Sequence, residues 1–261
     1  MHAEQLVREG KFPEALEELK EYVRKEPDNS GYRTFLFQLL ALVGDWQRAL
    51  NQLNVLGDLE AALWPMVHIY KEAIQCEYLR KEVFAGRRQP VLLGEPPGWI
   101  ALLLESMRLM GEGRFEAAVS LRNQAFEQAP QSSGTIDGQS FQWIADADSS
   151  LGPVLEVIVN AKYYWAPFQQ ISGIVIAEPK DLRDKVWLPA EFTWTNGGRA
   201  QGLIPARYAG SENSQDPMIA IGRKTEWIAL NGGVYKGLGQ RMLATDRDEY
   251  ALLDIRQIRI G

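Results

Sequence analysis

The stretch GKFPEA at residues 10–15 returns as GDWQRA at residues 44–49 and as GRFEAA at residues 113–118. Each copy has a glycine, an aromatic residue two positions later and an alanine three positions after that. The first two copies are 34 residues apart, which is the period of the tetratricopeptide repeat, a unit of two antiparallel helices. Glycine fits the turn of such a unit, and alanine fits a close helix crossing. The pattern therefore predicts helical hairpins.

The likeness to tetratricopeptide repeats extends beyond the turn. Pro27 and Pro130 each lie 17 residues after their glycine, where a proline commonly ends the second helix, but the middle copy has Ala61 there. Residues 63–86 are expected to form a long helix outside the repeat register. We expect an irregular bundle of helical hairpins. Its expected core positions are Phe12, Ala15, Leu19, Leu36, Leu40, Trp46, Ala49, Leu53, Phe115 and Ala118.

The composition changes near residue 131. An internal loop is expected at residues 87–98, which hold three prolines and two glycines, and 14 of the 23 glycines and five of the eight tryptophans follow residue 131. The chain is therefore expected to be an α+β protein of two domains. Residues 1–130 would form a helical domain resembling tetratricopeptide repeats, and residues 131–261 a mostly-β, partly closed barrel-like domain with short capping helices.

Short β-type runs alternate with turn signals in the second half. Asn196-Gly197 and Asn231-Gly232 predict hairpins with type I′ turns, because both central residues of that turn need positive φ. Residues 178–185 and 238–244 are expected to form short helices or turns. The expected strands cover residues 135–144, 153–159, 162–167, 171–177, 186–194, 202–205, 218–230 and 251–260.

Charge and cysteine usage favour a cytoplasmic protein. The net charge of −6 is divided evenly, with 15 basic and 19 acidic residues in positions 1–130 and 13 and 15 in the remainder, so no nucleic-acid partner is expected. The single cysteine, Cys76, can form no internal disulfide, and the N-terminus has no leader pattern. The longest apolar runs are too short to span a membrane.

Catalytic and metal-binding residues are scarce. His2 and His68 have no second histidine or cysteine at ligand spacing, so neither a metal nor a cofactor is expected. Cys76 has no neighbouring histidine and is interpreted as a buried structural thiol. The glycine-containing runs at residues 222–225 and 232–239 are interpreted as turns, because the surrounding pattern of a nucleotide-binding loop is missing.

Several strings in the second half resemble one protein family. They are WLPA at residues 187–190, IPARY at 204–208, GLGQRMLATD at 237–246 and LLDIR at 252–256. These strings are similar to the ImpE family, also called SciE or TagJ, accessory proteins of bacterial type VI secretion. Members of that family similarly join a helical half to a β-rich half.

The resemblance implies a non-enzymatic role beside the contractile sheath. Proteins of this family bind the small sheath subunit (TssB-type) through an N-terminal helix of that subunit, and they are thought to influence sheath recycling by the AAA+ ATPase ClpV. A helical-repeat array agrees with this expectation, since a groove between helices can bury the apolar face of an amphipathic helix.

An enzyme remains the alternative. Asp246 or Asp254 together with Arg241 could serve a hydrolase or sugar-binding enzyme, because carboxylates and aromatic residues are plentiful in the second half. The other interpretation, which we favour, is that these three residues hold turns and strand ends. The tryptophans of the second half are expected to pack in the core and at the mouth of the barrel.

The partner groove is expected on the first helices of the repeat units, which line the concave side of such arrays. The expected contact residues are Thr34, Gln38, Ala41, Ile100, Leu103, Met107 and Met110. The two methionines suit an adaptable surface, because their side chains are unbranched and repack easily. The alternative is that helix 63–86 or the β-rich half covers these residues.

Overall fold

A computed structural model describes residues 2–231 and 233–261 of the chain. Its first half is built from paired helices. The helices are α1 (His2–Arg8), α2 (Phe12–Lys25), α3 (Ser30–Leu42), α4 (Trp46–Leu59), α5 (Trp64–Phe84), α6 (Gly98–Gly111), α7 (Phe115–Gln128) and, in the second half, the short α8 (Pro217–Ala220). The long helix expected at residues 63–86 is α5.

The repeated glycines lie in the turns α1–α2, α3–α4 and α6–α7. Gly10, Gly44 and Gly113 have φ values of 77°, 74° and 75°, a region that glycine enters without steric cost. In each copy the amide of the following residue donates a 2.9 Å hydrogen bond to the carbonyl five positions earlier. This geometry is the Schellman motif. Its occurrence at all three sites confirms the predicted helical hairpins.

The expected core of the helical half is largely present. Ala15, Ala49 and Ala118 are fully buried, as positions at a helix crossing should be. Of the ten expected core residues, Trp46 and Phe115 are half-buried and the other eight are buried. Trp46 and Phe115 begin α4 and α7 as Phe12 begins α2, but only Phe12 is buried.

The second half is mostly strand. The strands are β1 (Val91–Leu92), β2 (Gly134–Ile136), β3 (Gln139–Phe141), β4 (Ile144–Asp146), β5 (Val154–Val159), β6 (Lys162–Pro167), β7 (Ile171–Ile176), β8 (Trp187–Trp194), β9 (Arg199–Pro205), β10 (Thr225–Leu230), β11 (Val234–Gly239), β12 (Met242–Thr245), β13 (Glu249–Ala251) and β14 (Gln257–Ile260). Most helices lie in the first half of the chain, and most strands lie in the second half. This segregation confirms the α+β class.

The largest sheet has nine strands in the order β1-β6-β5-β9-β8-β7-β14-β2-β3. Its edge strands, β1 and β3, do not pair with each other, so the described residues form no closed barrel, and the predicted barrel-like packing is not confirmed. The remaining strands form the hairpin β10–β11 and the three-stranded sheet β13-β12-β4. Strand β1 lies within the expected loop 87–98 and pairs in parallel with β6. A two-residue strand is too short to leave a periodic signal in the sequence.

Two of three local predictions in the second half differ from the structure. The expected strand 218–230 begins with α8, because Pro217 starts a helix and the side chain of Asp216 accepts a hydrogen bond from the amide of Met218. In the segment 238–244, expected to be a short helix or turn, residues 238–239 belong to β11 and residues 242–244 to β12. The segment 178–185 does contain a short helical turn, Leu182–Lys185.

Both predicted hairpins exist, but the predicted turn type is wrong at Asn196-Gly197. Strands β8 and β9 are paired there, yet only Gly197 of the two residues has positive φ. Gly232 of the other predicted turn lies outside the described residues, although β10 and β11 pair on either side of it. Positive φ at both central residues occurs instead at Asp137-Gly138 and at Asn160-Ala161.

The helical and β-rich halves share one hydrophobic core. Trp187 of β8 packs against Trp46 and Tyr70 of the helices, with ring centroids 5.7 and 5.8 Å apart. The same cluster of buried residues includes Ile158 and Trp165. A second cluster is confined to the β-rich half. The chain passes from the helical half to the β-rich half between α7 and β2. A domain boundary at residue 131 stays a prediction.

Candidate functional site

A groove of about 830 Å³ separates α5 from the strands β5, β7, β8 and β9. One wall comes from the first turns of α5, and the sheet supplies the floor and the other wall. Most of the lining is apolar: Ile69, Tyr70, Ile158, Ala161, Val175, Ile176, Ala177, Pro189, Ala190 and Leu203. We call this feature the α5 groove.

Exposure varies with depth in the α5 groove. Ile69 and Val175 lie at its opening and are 48% and 53% exposed, whereas Ile158, Ile176 and Leu203 on its floor are buried. Large exposed aliphatic side chains beside a buried apolar floor are typical of a surface that another molecule covers. The α5 groove therefore has the form of a binding site for apolar side chains.

The charged residues that line the α5 groove are acidic. Glu72 and Glu191 both line it, and no lysine or arginine is among its described lining residues. The guanidinium of Arg199 lies 4.0 Å from the Glu191 carboxylate. A partner with an apolar face and basic flanks would match this distribution of charge.

The turn between β5 and β6 closes one end of the α5 groove. Asn160 and Ala161 adopt φ values of 49° and 62°, which is uncommon for a residue with a side chain. The Ala161 carbonyl accepts a weak hydrogen bond from the thiol of Cys76, 3.9 Å away on α5. Burial raises the pKa of Cys76 to about 12. The thiol therefore stays protonated at neutral pH and has the structural role expected for it.

Gly202 shapes the floor of the α5 groove. A Cβ atom at this position would lie 2.5 Å from the carbonyl oxygen of Ile158, so β5 and β9 can approach this closely only because the residue is glycine. The pairing of Val159 with Gly202 fixes the register of the two strands.

A buried ion pair joins α5 to the sheet. Arg80 donates its Nε to Oε1 of Glu156 at 2.7 Å and its Nη2 to Oε2 at 3.0 Å. The same guanidinium contacts the Glu77 carboxylate at 3.3 Å, and Glu77 in turn accepts a 2.9 Å bond from the indole of Trp187. Arg80 and Glu156 are buried, so this pairing positions α5 against β5 and so sets one wall of the α5 groove.

Arg241 extends this network within the β-rich half. Its Nε donates to the Pro205 carbonyl at 2.8 Å, and its two terminal nitrogens pair with the carboxylates of Asp146 and Glu156. The Arg241 side chain is fully buried. Tyr163 completes the shell by donating its hydroxyl to Glu156 at 2.5 Å. The structural role expected for Arg241 agrees with these contacts.

The two carboxylates that Arg241 contacts have opposite pKa shifts. Burial raises the pKa of Asp146 to about 7, because the guanidinium of Arg241 offsets only part of the desolvation and Asp148 lies nearby. Burial also acts to raise the pKa of Glu156, but Arg80 and Arg241 outweigh it and lower that pKa to about 2. Glu156 is thus the ionised centre of the network.

Two further polar contacts cross between the halves. The guanidinium of Arg207 donates a 2.8 Å hydrogen bond to the carbonyl of Leu42 at the end of α3, where orphan carbonyls and the helix dipole favour a cation. The amide of Leu182 donates to Oε1 of Gln38 on α3 at 3.1 Å. The β-rich half therefore covers part of α3.

The residues expected to line the partner groove are mostly buried inside the chain. Gln38, Ala41, Ile100, Leu103 and Met107 are each at most 7% exposed, and Thr34 and Met110 are half-buried. The five buried residues are packed against the rest of the chain and therefore do not line an open groove. The α5 groove was missed because its lining residues are far apart in sequence and show no common local pattern.

The alternative catalytic residues do not assemble into one site. Asp246 and Asp254 are exposed, whereas the buried guanidinium of Arg241 contacts Pro205, Asp146 and Glu156. Asp246 accepts a 2.6 Å hydrogen bond from the amide of Gln142, which fits the structural role expected for it. Asp254 lies in the helical turn Leu252–Asp254.

In residues 2–231 and 233–261, no three histidine, cysteine or carboxylate side chains are grouped so that they could hold a metal ion. None of the helices in the described ranges combines the length and apolar character needed to cross a bilayer.

Comparisons with known proteins agree on one family. The family model described as ImpE protein matches residues 138–259. A curated relative from Pseudomonas aeruginosa, the type VI secretion system accessory component TagJ, is 52% identical over 258 residues, covering 99% of this chain and 90% of the relative.

A solved structure has the same fold. The crystal structure of protein VPA1032 from Vibrio parahaemolyticus superposes with a TM-score of 0.89 and covers 100% of this chain and 98% of that protein. The sequence identity is 24%, so this likeness concerns the fold alone.

Proposed function

Because the chain belongs to the ImpE family of type VI secretion accessory proteins, we propose that it is a non-enzymatic adaptor that binds an N-terminal helix of the small sheath subunit. In this proposal it acts in the cytoplasm beside the contractile sheath and modulates sheath recycling by ClpV. The identity over nearly the full length of the P. aeruginosa relative supports the secretion role.

The α5 groove is the observation that carries the adaptor proposal. Its exposed Ile69 and Val175 and its buried floor match the apolar face of an amphipathic helix, which buries side chains at positions i, i+3, i+4 and i+7. Basic residues flanking that face would meet Glu72 and Glu191. The partner helix is therefore expected to lie along α5, with its apolar face toward the sheet.

The three candidate catalytic residues do not converge on one site, which supports a binding role over an enzymatic one. General acid–base catalysis needs titratable groups within hydrogen-bond reach of one reacting centre. Asp246 and Asp254 are on the surface, and Arg241 is bound within the core. The name of the P. aeruginosa relative, an accessory component, is in keeping with this interpretation.

The earlier set of seven contact residues on α3 and α6 stays a prediction. In this conformation a helix could reach the five buried members only if the covering elements moved. The α5 groove needs no such movement, because Ile69 and Val175 are already exposed. We therefore place the primary contact at the α5 groove.

The proposal is tested with a fluorescein-labelled peptide that contains the N-terminal helix of the small sheath subunit. The variants Ile69→Lys and Val175→Lys place a cation on the apolar opening while leaving the buried floor unchanged. Each should weaken binding by roughly tenfold or more, since a buried aliphatic contact contributes about 1.5–3 kcal/mol. Fluorescence anisotropy measures the affinity, and circular dichroism checks the fold.

Trp64→Lys is the matched control. Trp64 is on the same helix and is 55% exposed, but it does not line the α5 groove. This variant should bind the peptide as the unchanged protein does. Full affinity in both Ile69→Lys and Val175→Lys would place the helix elsewhere.

A further inference from the structure

A second concavity, of about 450 Å³, lies among α2, α3 and α4. Four cationic side chains line it: Lys20 and Arg24 on α2, Arg33 on α3 and Arg48 on α4. No carboxylate is among its described lining residues, although the chain as a whole has a net charge of −6. The concavity is thus a local exception to an acidic surface and attracts anionic groups.

The centre of this cationic concavity is apolar. Leu36 and Leu40 on its floor are 4% and 1% exposed, and Val23 beside them is half-buried. The amides of Asn51 and Gln52 line the α4 side and can both donate and accept hydrogen bonds. A ligand for this surface would combine negative charge with an apolar side chain and with amide-type polar groups.

Three of the cations have solvent-accessible acidic partners outside the concavity. Lys20 pairs with Glu17 at 2.5 Å, and Arg48 pairs with Asp45 at 3.1 Å, each within one turn of its own helix. Arg24 has a similar partner one turn earlier. Exposed pairs of this kind are weak, so these side chains can also contact a bound anion.

Arg33 differs from the other three cations. Its Nε donates to the carbonyl of Pro27 at 2.6 Å, and its Nη1 donates to Oε1 of Gln52 at 3.1 Å. In the part of the chain that the structure describes, no carboxylate forms an ion pair with it. These two contacts with neutral acceptors fix the position of the Arg33 guanidinium in the concavity. Its charge can therefore pair with a carboxylate of a bound ligand.

We propose that this cationic concavity binds a short acidic peptide segment of a partner protein, with an apolar side chain between carboxylates. A peptide fits better than a nucleic acid, because single-stranded nucleic acids bind through aromatic stacking and the described lining holds no aromatic residue. The inference is independent of the α5 groove, since the two sites share no lining residue.

The test uses the full chain and a fluorescein-labelled peptide, Asp-Glu-Leu-Glu-Asp, with Asn-Gln-Leu-Gln-Asn as the uncharged probe. Fluorescence anisotropy should detect binding of the acidic peptide only, weakening as salt is added. Arg33→Gln and Arg48→Gln should each lower the affinity roughly tenfold, because each removes one charge-assisted contact. Arg48 is half-exposed, so its replacement tests the site even if Arg33→Gln unfolds.

Arg199→Gln is the matched control, because it also removes one positive charge. Arg199 is on β9, its side chain is 75% exposed, and it does not line the concavity. It should leave the affinity unchanged, as should Ile69→Lys in the α5 groove. Equal binding of the uncharged probe, unchanged affinity in Arg48→Gln, or tighter binding of a deoxythymidine pentamer would each overturn the proposal.

Discussion

The guanidinium of Arg80 on α5 lies 2.7 Å from Oε1 of Glu156 on β5, and both side chains are buried. Glu156 also pairs with Arg241, so one carboxylate forms ion pairs with two guanidinium groups that come from different halves of the chain. The position of α5, and with it the α5 groove, depends on this carboxylate.

Replacement of Glu156 should therefore be strongly destabilising. Glu156→Gln leaves Arg80 and Arg241 without their shared counter-charge, and removal of one partner from a buried pair costs about 3–5 kcal/mol. Urea denaturation measures this loss. Glu82→Gln on α5, which removes an exposed carboxylate paired with Arg87 just beyond the end of that helix, should cost about 1 kcal/mol or less. Similar losses in both variants would contradict the role assigned to the buried network.

Stability should fall as pH rises from about 4 to 7. The pKa of Asp146 is about 7 in the folded chain and has an ordinary value of 3.8, so in this window the folded state holds a proton that the unfolded state has lost. One such proton changes the free energy of unfolding by about 1.4 kcal/mol per pH unit. Burial also raises the pKa of Asp148 and Glu77, which adds to the same slope.

Asp146→Asn tests this assignment. The variant removes one titrating group, so its free energy of unfolding should depend less steeply on pH between about 4 and 7. Glu156, whose pKa is lowered to about 2 from 4.5, acts in a separate window: its contribution is lost as pH falls below about 4.5. An unchanged slope in Asp146→Asn would show that other groups hold the proton.

The repeat register predicts the effect of a larger side chain at Ala49. This residue is fully buried at the α3–α4 crossing, and Ala49→Phe should overpack it at a cost of about 1–3 kcal/mol. Asn54→Phe places the same side chain at an exposed position of α4 and should change the melting temperature little. Equal melting temperatures in the two variants would argue against the register.

The two methionines of α6 should respond differently to a charge. Met107 is 5% exposed and Met110 is half-buried. Met107→Glu should destabilise by at least about 2 kcal/mol, because a buried polar group would lack a partner, whereas the Met110→Glu carboxylate can reach water. A thermal melt separates them. Should the double variant stay folded and lose sheath-helix binding, α6 would face the partner as first expected.

Gly44 and Gly113 form a matched pair for testing contact between the halves. Both have φ near 75°, where alanine costs roughly 1 kcal/mol. A Cβ atom at Gly44 would also lie 2.6 Å from Cγ of Glu212, whereas nothing lies within 4 Å at Gly113. Gly44→Ala should therefore destabilise more than Gly113→Ala in urea denaturation. An equal loss would mean that the Glu212 segment yields freely.

Local patterns in the sequence determined the helical hairpins and the strand-rich second half. Gly10, Gly44 and Gly113 specify their turns because the left-handed conformation depends on the residue itself. Alternating β-branched runs similarly indicate strands. The ImpE resemblance rested on strings such as residues 237–246, which the family comparison supports. Turn type was less predictable, as Asn196 shows, because strand pairing selects among several loop geometries.

Tertiary structure alone decided which surfaces stay open. The expected contacts on α3 and α6 are buried because segments distant in sequence cover them, as Leu182 does at Gln38. The α5 groove brings Ile69 near Val175, more than a hundred residues later in the chain. The pairing of Arg80 with Glu156 spans 76 residues. No local period encodes such contacts, because burial and ion pairing depend on how complete elements pack against one another.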